Sequence, residues 1–128
     1  MQLQKRIRKF IRSLRPLDRR KFLRVVPQNP LRCFLLYESA SAQVRVECDI
    51  INISQGGIKL VTGDQKFFPK TPVQLEFQGA SQNPPVILNA RIVRTYRRHT
   101  EKWYYSGIQF SANQDDAIAL VLKMSQAA

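Results

Sequence analysis

From Leu31 to Phe110 the chain is written in short runs rich in β-branched and aromatic residues, each closed by turn formers. Six runs read as strands: Leu31 to Tyr37, Val44 to Ile50, Ile58 to Val61, Val73 to Phe77, Val86 to Tyr96 and Trp103 to Phe110. In the second, Val44, Val46, Cys48 and Ile50 alternate with Arg45, Glu47 and Asp49, the period of a strand with one buried face. Gly56-Gly57, Gly63-Asp64, Pro69, Pro72 and Asn83-Pro84-Pro85 punctuate the series. Six short strands in roughly 80 residues predict an all-β fold, a six-stranded antiparallel β-barrel that protects its edges by closing. Beyond Phe110 the spacing turns helical, with Ile118, Leu120, Val121, Leu122 and Met124 on a C-terminal α-helix. Asn113 is its expected N-cap, Asp116 falls at the third helical position, and Asp115 and Asp116 suit the positive end of the helix dipole.

The chain ahead of the strands has a different composition. Residues 1–24 hold ten basic residues and a single acid, Asp18, and so carry +9 of the formal +12 of the 128-residue sequence. Leu3, Ile7, Phe10, Ile11 and Leu14 recur at helical spacing among Lys5, Arg6, Arg8, Lys9 and Arg12, which predicts a basic N-terminal helix over residues 2–15. Pro16 ends it, because the residue before a proline is pushed out of the helical region. Leu17 to Pro30 reads as a linker, so residues 1–17 form a helical appendage and residues 18–128 a barrel domain that includes the linker. For the amphipathic helix three readings stand side by side: docking to a downstream protein partner, contact with an anionic membrane surface through residues 2–15, and packing on the barrel or in a homodimer.

Several classes of protein are excluded or disfavoured. The longest uninterrupted apolar run, Ala117 to Leu122, is far short of the roughly 18 residues that cross a bilayer. The N-terminal basic residues break every stretch where a signal peptide needs an apolar core, so the expectation is a cytoplasmic protein. Cys33 and Cys48 are too few for a disulfide scaffold and lack zinc-site spacing. If the chain turns near Ala40 and Ser41, they face each other on paired strands, read as two reduced, buried thiols with a disulfide as the alternative. The single histidine, His99, lies among Arg97, Arg98 and Lys102 in a polar turn. No nucleophile elbow, phosphate-binding glycine loop, metal cluster or carboxylate pair stands out, so neither enzyme activity nor a metal or other cofactor is expected.

Binding chemistry has more material. Arg19, Arg20, Lys21 and Arg24 fall within six positions, and Arg20 and Arg24 are four apart, a spacing that aims both side chains the same way on a helix or on a strand. A guanidinium fork matches phosphate oxygens and the O6/N7 edge of guanine, and it stacks on a base. Downstream, Asn52-Ile-Ser54-Gln-Gly56-Gly57 joins the second and third strands, with glycines that allow close backbone approach and short polar side chains that bond a ligand or their own turn. By itself each element has a plainer explanation, a solvated basic linker and a hairpin turn.

Together, Arg20-Lys-Phe-Leu-Arg24 as Arg-x-x-x-Arg and Asn52-Ile-Ser54-Gln-Gly56-Gly57 as Asp/Asn-x-Ser-x-x-Gly, about 30 residues apart and in this order, resemble the PilZ domain. The six-strand pattern, the Gly107-Ile-Gln-Phe110 close of the last strand and the terminal helix agree with it over roughly residues 18–126. The resemblance implies a receptor for the bacterial second messenger cyclic di-GMP that relays its level to a partner without turning it over. It also implies that Arg20 and Arg24 clasp phosphates and guanine edges, and that Asn52, Ser54, Gly56 and Gly57 form the opposing barrel surface. Arg19, at the position ahead of the first motif arginine, resembles members that take an intercalated pair of messengers. From composition a rival class stays open, a small basic barrel binding RNA or single-stranded DNA. Against it, the charge is concentrated in the N-terminal segment rather than striped across the strands.

Overall fold

A computed structural model describes residues 31–79 and 84–126. The helix expected over residues 2–15, the linker and its Arg19, Arg20 and Arg24 lie outside the described residues. The elements are β1 (Arg32–Ser39), β2 (Ala42–Ile53), β3 (Gly57–Gly63), β4 (Pro72–Gln78), β5 (Val86–Tyr96), β6 (Tyr104–Phe110) and α1 (Asp115–Gln126). The strands close into a barrel in the order β1-β2-β3-β6-β5-β4, antiparallel at every interface. All six expected strands and the C-terminal helix are present. Their limits shift a little: β2 continues past Ile50 to Ile53, and β6 begins at Tyr104, leaving Trp103 in the preceding turn.

Alternation places Cys33 and Leu35, Cys48 and Ile50, Ile58 and Leu60, Val73, Leu75 and Phe77, Leu88, Ala90 and Ile92, and Ile108 and Phe110 inside. Each large apolar side chain buried there stabilises the fold by about 1.5–3 kcal/mol. Phe67, from the β3–β4 loop, is buried in the same core and meets Tyr37 edge-to-face at 5.0 Å. Ile118 and Val121 of α1 join that core as well. The hairpin between β1 and β2 turns through Ala40 and Ser41, with Ala40 in the left-handed region at φ 51°. Cys33 therefore stands directly opposite Cys48, and both are buried free thiols.

Strict alternation fails at three places. The pairing register shifts at Ile51 in β2, at Thr62 in β3 and at Val93 in β5, each an inserted residue that reverses the faces of those that follow. Beyond the first shift, Ile53 pairs with Ile58 in the core and Asn52 pairs with Lys59 on the outer wall. Ile51 packs with Val61 and Tyr105 in a second, smaller apolar cluster.

The helix cap differs from expectation. Asn113 adopts φ 66° and precedes the cap; Gln114 is the capping residue, its carbonyl accepting the first helical hydrogen bond from the Ile118 N–H at 2.9 Å. The Gln114 side chain instead ties α1 to β5. Its Oε1 accepts from the Asn89 N–H at 2.7 Å and its Nε2 donates to the Asn89 carbonyl at 2.8 Å, as a paired strand would.

Candidate functional site

The motif turn begins where β2 ends. Ser54 is 4 % exposed and its Oγ accepts the N–H groups of Gly56 and Gly57 at 3.2 and 3.3 Å. The Ser54 N–H in turn donates to the Gly57 carbonyl at 2.9 Å. The serine thus folds the turn upon itself, which is why a hydroxyl is useful at that place in the sequence. Gly56 is held to β6 by its carbonyl, which accepts from the Phe110 N–H at 3.0 Å. Gly57 opposes Gln109, and a β-carbon on it would overlap the Ile108 carbonyl oxygen, so the approach of β3 to β6 requires glycine. Asn52 is 2 % exposed. Asn52, Ser54, Gly56 and Gly57 therefore form one contiguous rim, with Gln55 exposed at its tip.

The register also fixes where the preceding chain arrives. Cys33 pairs with Cys48, so the start of β1 lies against the second half of β2, one strand away from the turn. Leu31, partly buried and packed on the core, is the point at which the chain enters the barrel. The ends of β4 and β6 and the start of β5 lie at this same end. Arg32 is fixed beside the entry by Glu47, whose carboxylate accepts from Arg32 Nε and Nη2 at 3.0 and 3.1 Å. That pairing holds the Glu47 carboxyl below its ordinary value.

Across the outer wall, successive strand pairs set side chains in rows. Asn52, Lys59, Gly107 and Arg94 form one row over β2, β3, β6 and β5, and Gly57, Gln109 and Arg91 form the next. Below them Val61, Tyr105 and Tyr96 carry an aromatic row, the two rings stacked at 5.4 Å and 20°. Tyr105 is fully buried, donates its hydroxyl to Glu101 Oε2 at 2.6 Å and accepts from Trp103 Nε1 at 2.8 Å. Burial, then the bond to Glu101, pushes its phenol up to about 12.

The basic residues of β5 and its following turn separate into different surroundings. Arg91 donates from Nε and Nη2 to Gln109 Oε1, Arg97 faces Tyr104, and Arg98 meets Glu101 at 3.6 Å with its guanidinium over Tyr105. Arg94 instead shares the row of Asn52 and Gly107. Lys59 does not stand out in the linear sequence, and Gly107 is visible there only as part of the close of the last strand. Only cross-strand register brings them beside the motif. Among the described residues there is no group of three or more His, Cys, Asp or Glu able to hold a metal ion, and no helix long and apolar enough to cross a membrane.

A closed six-stranded barrel joined by a C-terminal helix, with a serine-braced turn at the end where the chain enters, defines a small antiparallel β-barrel module of one recognisable plan. The family model of the PilZ domain matches residues 18–125, and the chain belongs to the PilZ domain family. No curated protein matches the sequence. Among solved structures, the Bacillus subtilis inhibitor of motility MotI/DgrA is 17% identical with a TM-score of 0.61, over 85% of this chain and 50% of that one. The PilZ domain of YcgR from Escherichia coli, solved with c-di-GMP, is 15% identical with a TM-score of 0.56, over 84% of this chain and 89% of that one. K. pneumonia MrkH, solved as its c-di-GMP complex, is 18% identical with a TM-score of 0.58, over 83% and 52%. The chain thus spans about half the length of MotI/DgrA and MrkH and most of the YcgR domain, and at these identities the likeness is one of fold.

Proposed function

We propose that this chain is a cyclic di-GMP receptor and adaptor, whose arginine linker closes on the barrel with the ligand and changes a surface read by a partner protein. The observation that carries this reading is the register that sets the chain's entry into β1 beside the Asn52–Gly57 end of β2. Arg24 precedes Leu31 by seven residues, a segment that reaches at most about 25 Å when extended. Neighbouring strands are only about 4.8 Å apart, so Arg20 and Arg24 have ample reach to the wall over β2 and β3. The ligand is a compact dianion with two purine faces, and guanidinium forks supply charge, paired hydrogen bonds and stacking together. In this reading Ser54 and Gly57 shape the turn, while Asn52 and the backbone of Gly56 and Gly57 select the base.

Membership of the PilZ family, and c-di-GMP in the solved YcgR domain and MrkH, support the ligand class. The module binds and releases without chemistry, and needs no metal. Arg19 offers a further cation for a second ligand molecule in the same site. The basic segment over residues 2–15 is the part that linker closure displaces, and so the natural output to a protein partner or an anionic membrane. Calorimetric titration with cyclic di-GMP tests the reading: the wild type gives saturable, guanine-specific heat, with two ligands per chain if Arg19 recruits the second. Arg24→Ala abolishes it with the fold intact. A folded wild type that ignores micromolar ligand, or an Arg24→Ala chain that binds equally well, overturns it. Preference for single-stranded oligonucleotides with steep salt dependence would establish the nucleic-acid class instead.

A further inference from the structure

The outer wall carries a cationic pair that neither motif includes. Lys59 and Arg94 occupy the two strands flanking Gly107 in the row that begins at Asn52. Between them the wall has no side chain. A β-carbon built on Gly107 meets only Arg94 Cγ, at 3.7 Å, so the floor is bare backbone with ordinary room above it. Both cations turn towards one ring: Lys59 Nζ lies 5.7 Å and Arg94 Cζ 5.1 Å from the Tyr96 centroid. Tyr96 is itself braced by stacking on the fully buried Tyr105, so the ring that positions the two cations is not free to swing. Asp49, a buried carboxylate two ladder pairs along β2 on the same wall, is itself engaged, as is Lys59, so the lysine is held in place on the wall.

We propose that Lys59 and Arg94 are a second, barrel-borne anion contact, which takes a phosphate of the cyclic dinucleotide while the sugar-phosphate ring lies over Gly107. The proposal rests on the receptor reading above and adds two residues and a floor to its site. Its logic is one of sides: the chain enters β1 beside the motif turn, so a compact dianion held at that turn presents a phosphate to the wall of β3, β6 and β5. A lysine and an arginine already on that wall, oriented by a fixed aromatic, meet it with little ordering on binding. The bare glycine permits the close approach such a contact needs.

Titration calorimetry with cyclic di-GMP on the wild type, Arg94→Gln, Lys59→Gln, Gly107→Ala, Arg24→Ala and Lys123→Gln decides it, with circular dichroism and urea midpoints recorded for each. Loss of a charge-assisted contact to phosphate weakens binding about tenfold or more for Arg94→Gln and for Lys59→Gln. Gly107→Ala weakens it by raising the floor, at undiminished stability. Lys123→Gln, which removes a charge on α1, stays within about twofold, as expected when exposed charges act at screened distances. Wild-type affinity in both Arg94→Gln and Lys59→Gln, alongside loss in Arg24→Ala, removes the second contact and leaves the receptor reading standing. No binding by the folded wild type removes both. Should Lys59→Gln fail to fold, the exposed Arg94 and the Gly107 floor decide the matter alone.

Discussion

Two glycines on neighbouring strands show how one residue type serves opposite purposes. At Gly57 the missing side chain is what lets β3 lie against β6, and an added methyl group finds the Ile108 carbonyl in its place. That neighbour is backbone held in the ladder, and it yields only if the two strands part. Gly57→Ala is therefore expected to cost about 3 kcal/mol, the upper range for forcing atoms into a packed place, read as a lower urea midpoint. At Gly107 the space is open, and alanine in a strand loses less backbone entropy than glycine. Gly107→Ala is expected to hold stability or raise it by about 0.5 kcal/mol in the same measurement. A large drop there, or none at Gly57, would contradict the pairing of β3 with β6. The distinction matters for reading the motif: a Gly57 variant that stops binding has lost its turn before it has lost a contact. Ser54 belongs with Gly57, since its hydroxyl is engaged by the backbone of the same turn.

At the scale of elements, the wall formed by β1, β2 and β4 is covered by charged side chains. Phe34 sits on its outer face, only 5 % exposed, under the guanidiniums of Arg45 at 3.7 Å and Arg32 at 4.9 Å. Glu47 secures Arg32, and Glu76 accepts from Arg45 Nη2 at 2.9 Å, so two ion pairs hold a lid over one aromatic. The arginine bonds draw both carboxyls below the ordinary value of 4.5. A carboxyl lowered on folding adds stability that is complete above that ordinary value and lost as pH falls through the lowered one. The urea midpoint is expected to fall below about pH 4.5, and Glu76→Gln to blunt that fall while costing about 1 kcal/mol or less near neutral pH, since the half-exposed Arg45 leaves the pair screened by solvent. An unaltered acid limb in Glu76→Gln would show that the pair does not act.

The Phe34 wall also marks the boundary of what the sequence makes legible. Period-two alternation identifies β2 up to Ile50, yet Cys33-Phe34-Leu35-Leu36 is apolar throughout and does not say which members face out. Ile51, Thr62 and Val93 are ordinary strand residues whose bulges come from closing the barrel, a constraint that acts between strands. Gln114 displaces Asn113 as the cap because its long amide reaches Asn89, a contact with no local signature. The motif turn is readable as a string because its hydrogen bonds are local. Lys59, Gly107 and Arg94, separated by tens of residues, become neighbours only through register.

For the molecule as a whole, closure makes the two thiols reporters of the entire fold. Cys33 and Cys48 face each other inside a barrel whose strands are each paired on both sides. Burial is the first cause that drives the Cys33 thiol well above its ordinary range and the Cys48 thiol up to about 12, so neither supplies thiolate while the barrel is shut. Labelling by an aromatic disulfide reagent then proceeds only through opening of the barrel, and its rate follows the open population when reclosing is fast. A ligand that binds only the closed form lowers that population by mass action. At a concentration one hundred times its dissociation constant, cyclic di-GMP is expected to slow labelling about 100-fold, equivalent to about 2.7 kcal/mol. Arg24→Ala, which leaves the barrel's own pairing intact, should label at the unliganded wild-type rate whether or not ligand is present. Thiols that react at once in the folded, unliganded protein would mean that β1 parts from β2 without global opening. The chain's entry beside the motif turn would then be a movable boundary, and linker closure would have to be read as strand rearrangement.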